Sequence, residues 1–373
     1  MKKIISIFVF IVLCAFAYAQ SDYEAFRFSQ TEYSGTARYM GAGGAFSTTG
    51  GEFSSLNVNP AAIGLYKRHE VTLTPMSLTF SKNNTVYFDQ GSYTQNPKYT
   101  VPQCGLVITS EIDNSNWKFW QFGFGYNRIM DYNNTFRADA LGVNHSIINT
   151  ILDHAQGTPY SALTGDASLA WKTWMIDTFP GTNNLYYSPF EDAQLDHSSL
   201  VKRSGAMDEM TFTFGGNYND KLYIGASIGI PILSFRETIS YSELATDSQN
   251  PYNWITSFKT NAIQEDEGGG INLKLGFIYQ PVNFLRFGVG FQTPTYFWKI
   301  KDTYSRELIS FYTDGKNSET GSYTNKNKFT LTTPLKFNIG ASFLINKRAF
   351  ISAEYDFSDY SMANLYSNEY NYV

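Results

Sequence analysis

The chain is 373 residues long with a formal net charge of −5 and a pI near 5.5, which leaves no basic footprint for nucleic acid. Aromatic residues make up 17% and charged residues 16%, against roughly 25% charged in an ordinary soluble domain. Mean hydropathy is nevertheless −0.28, a combination that suits strands showing an apolar face to lipid and a polar face to a lumen.

Reading from the start, Lys2 and Lys3 precede an apolar run from Ile4 to Phe16, and Ala17-Tyr18-Ala19 forms a small-residue cleavage site. This is the pattern of a secretory leader over 1–19, with mature protein from Gln20. The run is too short for a spanning helix of about 20 residues, and Cys14 follows Ile11, Val12 and Leu13 rather than a lipoprotein motif. No later segment is apolar for long enough to span as a helix. Cys104 is then left without a partner for an intramolecular disulfide. Residues 20–66 lack strand alternation and are rich in Gly, Ser and Thr, so they read as a separate N-terminal unit.

From about Glu70 the dominant period is two, the mark of strands with two unlike faces. Weaker runs fall near 70–82 and 99–110. Clear ones follow at Trp120 to Tyr126, Met210 to Tyr218, Leu222 to Ile230, Ile271 to Tyr279, Leu285 to Gln292, Phe329 to Ile345 and Ala349 to Phe357. That is roughly nine strands of barrel length. Asn219-Asp220-Lys221, Pro281-Val282-Asn283 and Asn346-Lys347-Arg348 are tight turns, whereas 131–207, 243–268 and 304–326 are expected as long loops. Short turns on one rim and long loops on the other fit an outer-membrane barrel, and an even number of strands is needed to close one. Roughly nine strands therefore predict an open or gapped wall. Within 131–207, Ile147, Ile148, Ile151 and Leu152 recur at helical spacing, as do Trp171, Trp174 and Met175, so helices are expected near 144–155 and 162–176.

The most specific segment is Thr36 to Phe46, reading TARYMGAGGAF, with Asn57-Val58-Asn59-Pro60-Ala61-Ala62-Ile63-Gly64-Leu65 before the first strand. It resembles the N-terminal hatch of the FadL/TodX family of outer-membrane transporters of hydrophobic compounds, whose Asn-Pro-Ala motif is matched by Asn59, Pro60 and Ala61. The resemblance implies an all-β transmembrane antiparallel barrel of about fourteen strands, one of the even-numbered series, with 20–66 as a hatch inside and 67–373 as the wall. It further implies a ligand groove on the extracellular loops, a side opening where a wall strand kinks, and passive uptake of long-chain fatty acids or aromatic hydrocarbons. Tyr370-Asn371-Tyr372-Val373 departs from the expected closing aromatic strand, which suggests a C-terminally truncated sequence.

Ile148, Ile151, Leu152, Trp171, Trp174, Met175 and Phe179 are the expected lining of the loop groove, since an apolar site needs such residues. Asn59 and Pro60 are expected to act as a latch responding to ligand. Gly225-Ala226-Ser227-Ile228-Gly229 matches G-x-S-x-G, but it sits inside strand alternation where the motif needs a strand-to-helix turn. His69, His145, His154 and His197 show no metal spacing and read as solvated. A haem receptor using His145 or His154 is the alternative function, and an outer-membrane enzyme a weaker one. Glu265-Asp266-Glu267 reads as a hydrated rim turn, with cation bridging to anionic lipid heads as the other option. The expectation is thus no enzyme, no cofactor and no metal, in a monomer whose partners are hydrophobic small molecules and the lipid and lipopolysaccharide of the outer membrane.

Overall fold

The computed structural model describes residues 19–188, 190, 193–246, 255–313, 319–345 and 348–367. Residues 1–18 of the expected 1–19 leader and the terminal residues 368–373 lie outside them.

The described residues start with helix α1 (Ala19–Ser29) and the short α2 (Ala37–Gly41), then 3-10 turns at Phe53–Asn57 and Pro60–Leu65, with no strand among them before Glu70. The wall follows as a meander of antiparallel passes. The first is β1 (Glu70–Thr74) with β2 (Ser77–Tyr87), the second β3 (Gln90–Thr100) with β4 (Gln103–Glu111), and the third β5 (Trp117–Asp131) with β6 (Asn134–Val143). A connection holding α3 (Ile147–Ala155), α4 (Gly165–Lys172) and the two-residue strands β7 (Asp177–Thr178) and β8 (Tyr186–Tyr187) leads on. Then come the long strands β9 (Leu195–Tyr218), β10 (Leu222–Ala245) and β11 (Ile255–Val282). Three more broken passes complete the described chain: β12 (Leu285–Gln292) with β13 (Tyr296–Tyr312), β14 (Glu319–Thr332) with β15 (Lys336–Ile345), and β16 (Ala349–Ser358) with β17 (Asn364–Tyr366).

The ladder runs β1-β4-β5-β9-β10-β11-β12-β15-β16, with β6 on β9, β13 on β11, and β14 joining β13 to β17. The described residues thus give nine passes, against the roughly nine read from the sequence and the fourteen implied by resemblance. No ladder joins β1 to β16 among them.

Alternation explains the wall. On β10, Ile224, Ile228, Ile230 and Ile232 are exposed while Tyr223 and Ser227 are buried; on β9, Phe212 and Phe214 face out while Thr211, Thr213 and Asn217 face in. A period-two side chain pattern is what the pleat dictates. The inner face packs on the N-terminal segment, whose Phe53, Leu56, Ala61, Ala62 and Ile63 form one core with Val107, Tyr223 and Ile278.

Proline breaks four of the passes, at Pro75, Pro102, Pro294 and Pro334, because it cannot donate to a ladder. The register survives each break: Thr74 opposes Gln103 and Ser77 opposes Thr100, and Gln292 opposes Lys336 as Tyr296 opposes Thr332. These are corners in continuous passes. The run from Phe329 to Ile345, expected as one strand, is accordingly bent at Pro334.

The stretches 131–207, 243–268 and 304–326 are not simple loops. Strands β6, β9, β10, β11, β13 and β14 extend into them, and the insertion between strands shrinks to 144–194. Outside the apolar band both faces of a strand are polar or mixed, as in Tyr241-Ser242-Glu243 and Lys259-Thr260-Asn261, so period-two alternation fades while the ladder continues. Both expected helices are present.

Candidate ligand channel

The Asn59-Pro60-Ala61 turn is fully buried against the wall. Pro60 fixes its own backbone and starts the 3-10 turn; Asn59 caps it, Oδ1 accepting from the Ala61 amide at 3.0 Å, while its Nδ2 donates to the Phe277 carbonyl at 3.4 Å. The turn lies on a row of register neighbours, Gly215, Gly225, Gly276 and Gly290. A Cβ on Gly225 would stand 2.3 Å from the Pro60 carbonyl oxygen, and one on Gly276 would stand 2.1 Å from Asn59 Oδ1. Only a wall without side chains at this level lets the segment approach so closely.

Beside this anchor, a cavity of about 390 Å³ lies between the N-terminal segment and the inner wall. Phe28, Tyr39, Met207, Phe297, Phe337 and Phe357 give it apolar surface, and Glu209, Lys274, Lys336, Asn338 and Asp356 a polar pole. Glu209 is wholly buried and accepts from Lys274 Nζ, Asn272 Nδ2 and Thr211 Oγ1, which compensates a charge that would otherwise be costly to bury.

A second cavity of about 520 Å³ lies where the second and third passes separate, lined by Ser77, Thr79, Lys98, Thr100 and Met130. Up to the Arg128 amide, which donates to the Pro102 carbonyl at 2.8 Å, β4 and β5 stay together. Beyond it the edge of β5 is free of β3, and the Ile129 carbonyl accepts instead from the Glu32 amide at 2.8 Å. Further out the first and second passes both meet the third without a ladder: Asn83 of β2 and Asn96 of β3 donate to Asn134 Oδ1 and the Thr135 carbonyl, and Gln90 bonds both main-chain groups of Leu141.

Thr31, Glu32, Tyr33, Ser34, Arg128 and Ile129 line both cavities. The partition is therefore a strap of the N-terminal segment lying against β5. Besides the Glu32 bond, Lys336 Nζ donates to Thr31 Oγ1 at 3.1 Å and the Tyr33 hydroxyl donates to Asp356. On the wall side Arg128 is held in a fork by Asp208, at 2.8 and 3.2 Å. The Glu32 carboxyl faces this space, and loss of solvent raises it above the ordinary carboxylate range.

The residues expected to line a loop groove are placed otherwise. Ile148, Ile151, Leu152 and Met175 are buried in one cluster with Ile255, Phe258 and Leu308 of the extended strands. Trp171 is half-buried, stacked on Tyr160 at 5.2 Å, while Trp174 and Phe179 are about half exposed, at 47% and 49%. None of the seven lines either cavity. His145 and His154 are exposed. His197 departs from the solvated reading: it is buried, with Nδ1 near the hydroxyls of Tyr87 and Tyr241 at 3.2 and 3.1 Å. Ser227 lies mid-strand on β10, its Oγ 2.7 Å from Thr213 Oγ1, without the turn a nucleophile needs. Glu265 and Glu267 belong to β11 rather than a rim turn, and Asp266 points inward. The strap residues had no sequence signal, since their role depends on which wall strands part beside them.

No family model matches the chain, and no curated protein matches it. Among solved structures it is similar to the Pseudomonas putida toluene transporter TodX, at 13% identity, covering 90% of this chain and 74% of that one with a TM-score of 0.46. A TodX deltaS2S3 mutant, described as a monoaromatic hydrocarbon channel, is similar at 13% identity, covering 87% and 73% with a TM-score of 0.43.

Proposed function

We propose that this protein is an outer-membrane channel for passive uptake of small hydrophobic compounds, of the long-chain fatty acid or aromatic hydrocarbon kind. Cargo occupies the inner cavity and leaves sideways through the gap between the second and third passes. The observation that carries this reading is the pair of cavities on either side of the Thr31 to Ser34 strap, the outer one where the wall ladder is missing. Exposed Ile, Leu and Phe around the wall supply a lipid-facing band. In this reading residues 20–66 are the plug, and Asn59, Pro60 and Ala61 are its anchor. Their burial against the glycine row favours that role over a moving latch. The strap, held by three dispersed bonds, is the part that shifts, and ligand drives it only through unequal affinity for the two positions. On the loop cap, Trp171, Trp174 and Phe179 offer the first apolar contact, while Ile148, Ile151, Leu152 and Met175 hold that cap together.

A reversible cross-link tests the route. In a Cys104→Ser background, Glu32→Cys and Ile129→Cys place two thiols at the main-chain contact of strap and wall. In vesicles, uptake of a fluorescent fatty acid or of toluene is expected to stop on oxidation and return on reduction. Uptake that continues with the disulfide formed would remove the strap from the pathway.

A further inference from the structure

The outer surface of β13 and β14 carries four lysines, Lys299, Lys301, Lys326 and Lys328, all exposed. A bulge between Phe297 and Ile300 turns Lys299 outward beside its neighbours, and Lys301 stands directly opposite Lys328 in the ladder. Like charges facing each other across strands destabilise a sheet. No ion pair relieves them: among the described residues none of the four is within salt-bridge distance of a carboxylate. Glu267 is the other register neighbour of Lys301 but does not reach it, and Glu265 is engaged by Arg236 at 2.6 Å. The inward residues of the same rows, Asp302 and Asn327, bond each other on the lumen side.

Position gives the patch its meaning. Below it on the same outer surface lie Tyr296, Trp298, Ile271 and Leu273, all near half exposed. Aromatic rings of this kind mark the boundary of the apolar band on a barrel. Lys301 stands three positions beyond Trp298, at most about 10 Å at the usual rise, on the side away from the tight turns. The lysines therefore sit where the phosphate groups of an outer-leaflet lipid lie when its chains cover the band.

We propose that Lys301 and Lys328, flanked by Lys299 and Lys326, form a binding site for a phosphorylated glycolipid head group of the outer leaflet. A phosphate between the two ammonium groups replaces their repulsion by two charge-assisted bonds. Its acyl chains lie on the surface around Trp298 and Leu273. The proposal rests on the wall spanning a bilayer, but it is independent of what passes through the lumen.

The test uses the folded full chain in a neutral detergent, titrated by native mass spectrometry with bisphosphorylated lipid A and with the same lipid after removal of its phosphates. The phosphorylated lipid should bind more tightly, and Lys301→Gln with Lys328→Gln should weaken it by about thirtyfold while leaving the dephosphorylated lipid unchanged. Lys221→Gln, at a tight turn on the opposite rim, should have no effect. Lys328→Glu supplies a second readout: opposite charges then face each other across the Lys301 row, so thermal stability in lipid-free detergent rises while the lipid preference disappears. Equal affinity for the two lipids, an unchanged preference in the double variant, or reproduction of the effect by inorganic phosphate alone would each overturn the site. Uptake that continues with the strap cross-linked while lipid binding is intact would count against the channel route only.

Discussion

At the scale of single residues, the close contacts between plug and wall depend on atoms that are missing. Gly225→Ala places a methyl group against the Pro60 carbonyl oxygen, a main-chain atom that cannot rotate away. We expect a loss of about 1–3 kcal/mol, as for other overpacked sites, seen as a lower melting temperature of the detergent-solubilised protein. Gly41→Ala, where a Cβ meets nothing within 4 Å, should be neutral. Equal behaviour of the two would mean that the plug does not bear on the wall at Gly225. The Asn-Pro-Ala turn was legible as a motif, and its buried cap follows from its residues. Its glycine partners were visible only as small residues on the inner face of separate strands, because register decides which of them form a row. His197 was misread for a related reason. Its neighbours Tyr87 and Tyr241 come from other passes, so its burial has no local signal.

At the scale of elements, α4 ends in a Schellman motif with a tryptophan where glycine is usual. Trp174 has φ +58°, its amide donates to the Trp171 carbonyl at 3.2 Å, and the Met175 amide reaches the Ala170 carbonyl at 2.8 Å. A bulky residue in the left-handed region costs roughly 1 kcal/mol, and a half-exposed side chain recovers little of it by burial. Trp174→Gly is therefore expected to stabilise the protein by about 1 kcal/mol, measured by thermal or denaturant unfolding. If the indole also makes first contact with cargo, uptake falls in the same variant; a stable variant with full uptake would leave Trp174 without that role. Both helices of the insertion were readable from helical spacing. Their apolar faces, however, cover β11 and β13 instead of forming a groove, because strands that outrun their alternation rise to meet them. The prolines were visible too, but a proline alone does not say whether a strand ends or bends, and the preserved register across Pro75 and Pro334 shows bending.

At the scale of the whole molecule, α1 ties the N-terminal segment to the third pass and to β9, β10 and β11, and charge makes that tie depend on pH. Glu24 accepts from Gln264 Nε2 at 2.6 Å, and burial, with Asp302 and Glu237 nearby, holds its carboxyl above the ordinary range. A carboxyl raised in the folded state contributes stability that is present below its unfolded pKa and lost as pH rises through the folded value. The contribution of this group to stability should accordingly decline as pH rises past about 4. Glu24→Gln removes the charge and keeps a hydrogen-bonding amide; it should raise the melting temperature at neutral pH and flatten the profile. An unchanged profile would place the pH dependence elsewhere.

The sequence by itself determined an all-β antiparallel wall, a strandless N-terminal segment, the tight-turn rim and roughly nine passes, because period-two alternation and turn chemistry are local and survive without a partner strand. Only the tertiary structure decided that the second and third passes part above Arg128, that the Thr31 to Ser34 strap fills the gap, and that Lys301 faces Lys328. Those facts depend on register and on which distant segments share a level of the wall. One residue of register exchanges the inner face for the outer, so no pattern along the chain could fix them.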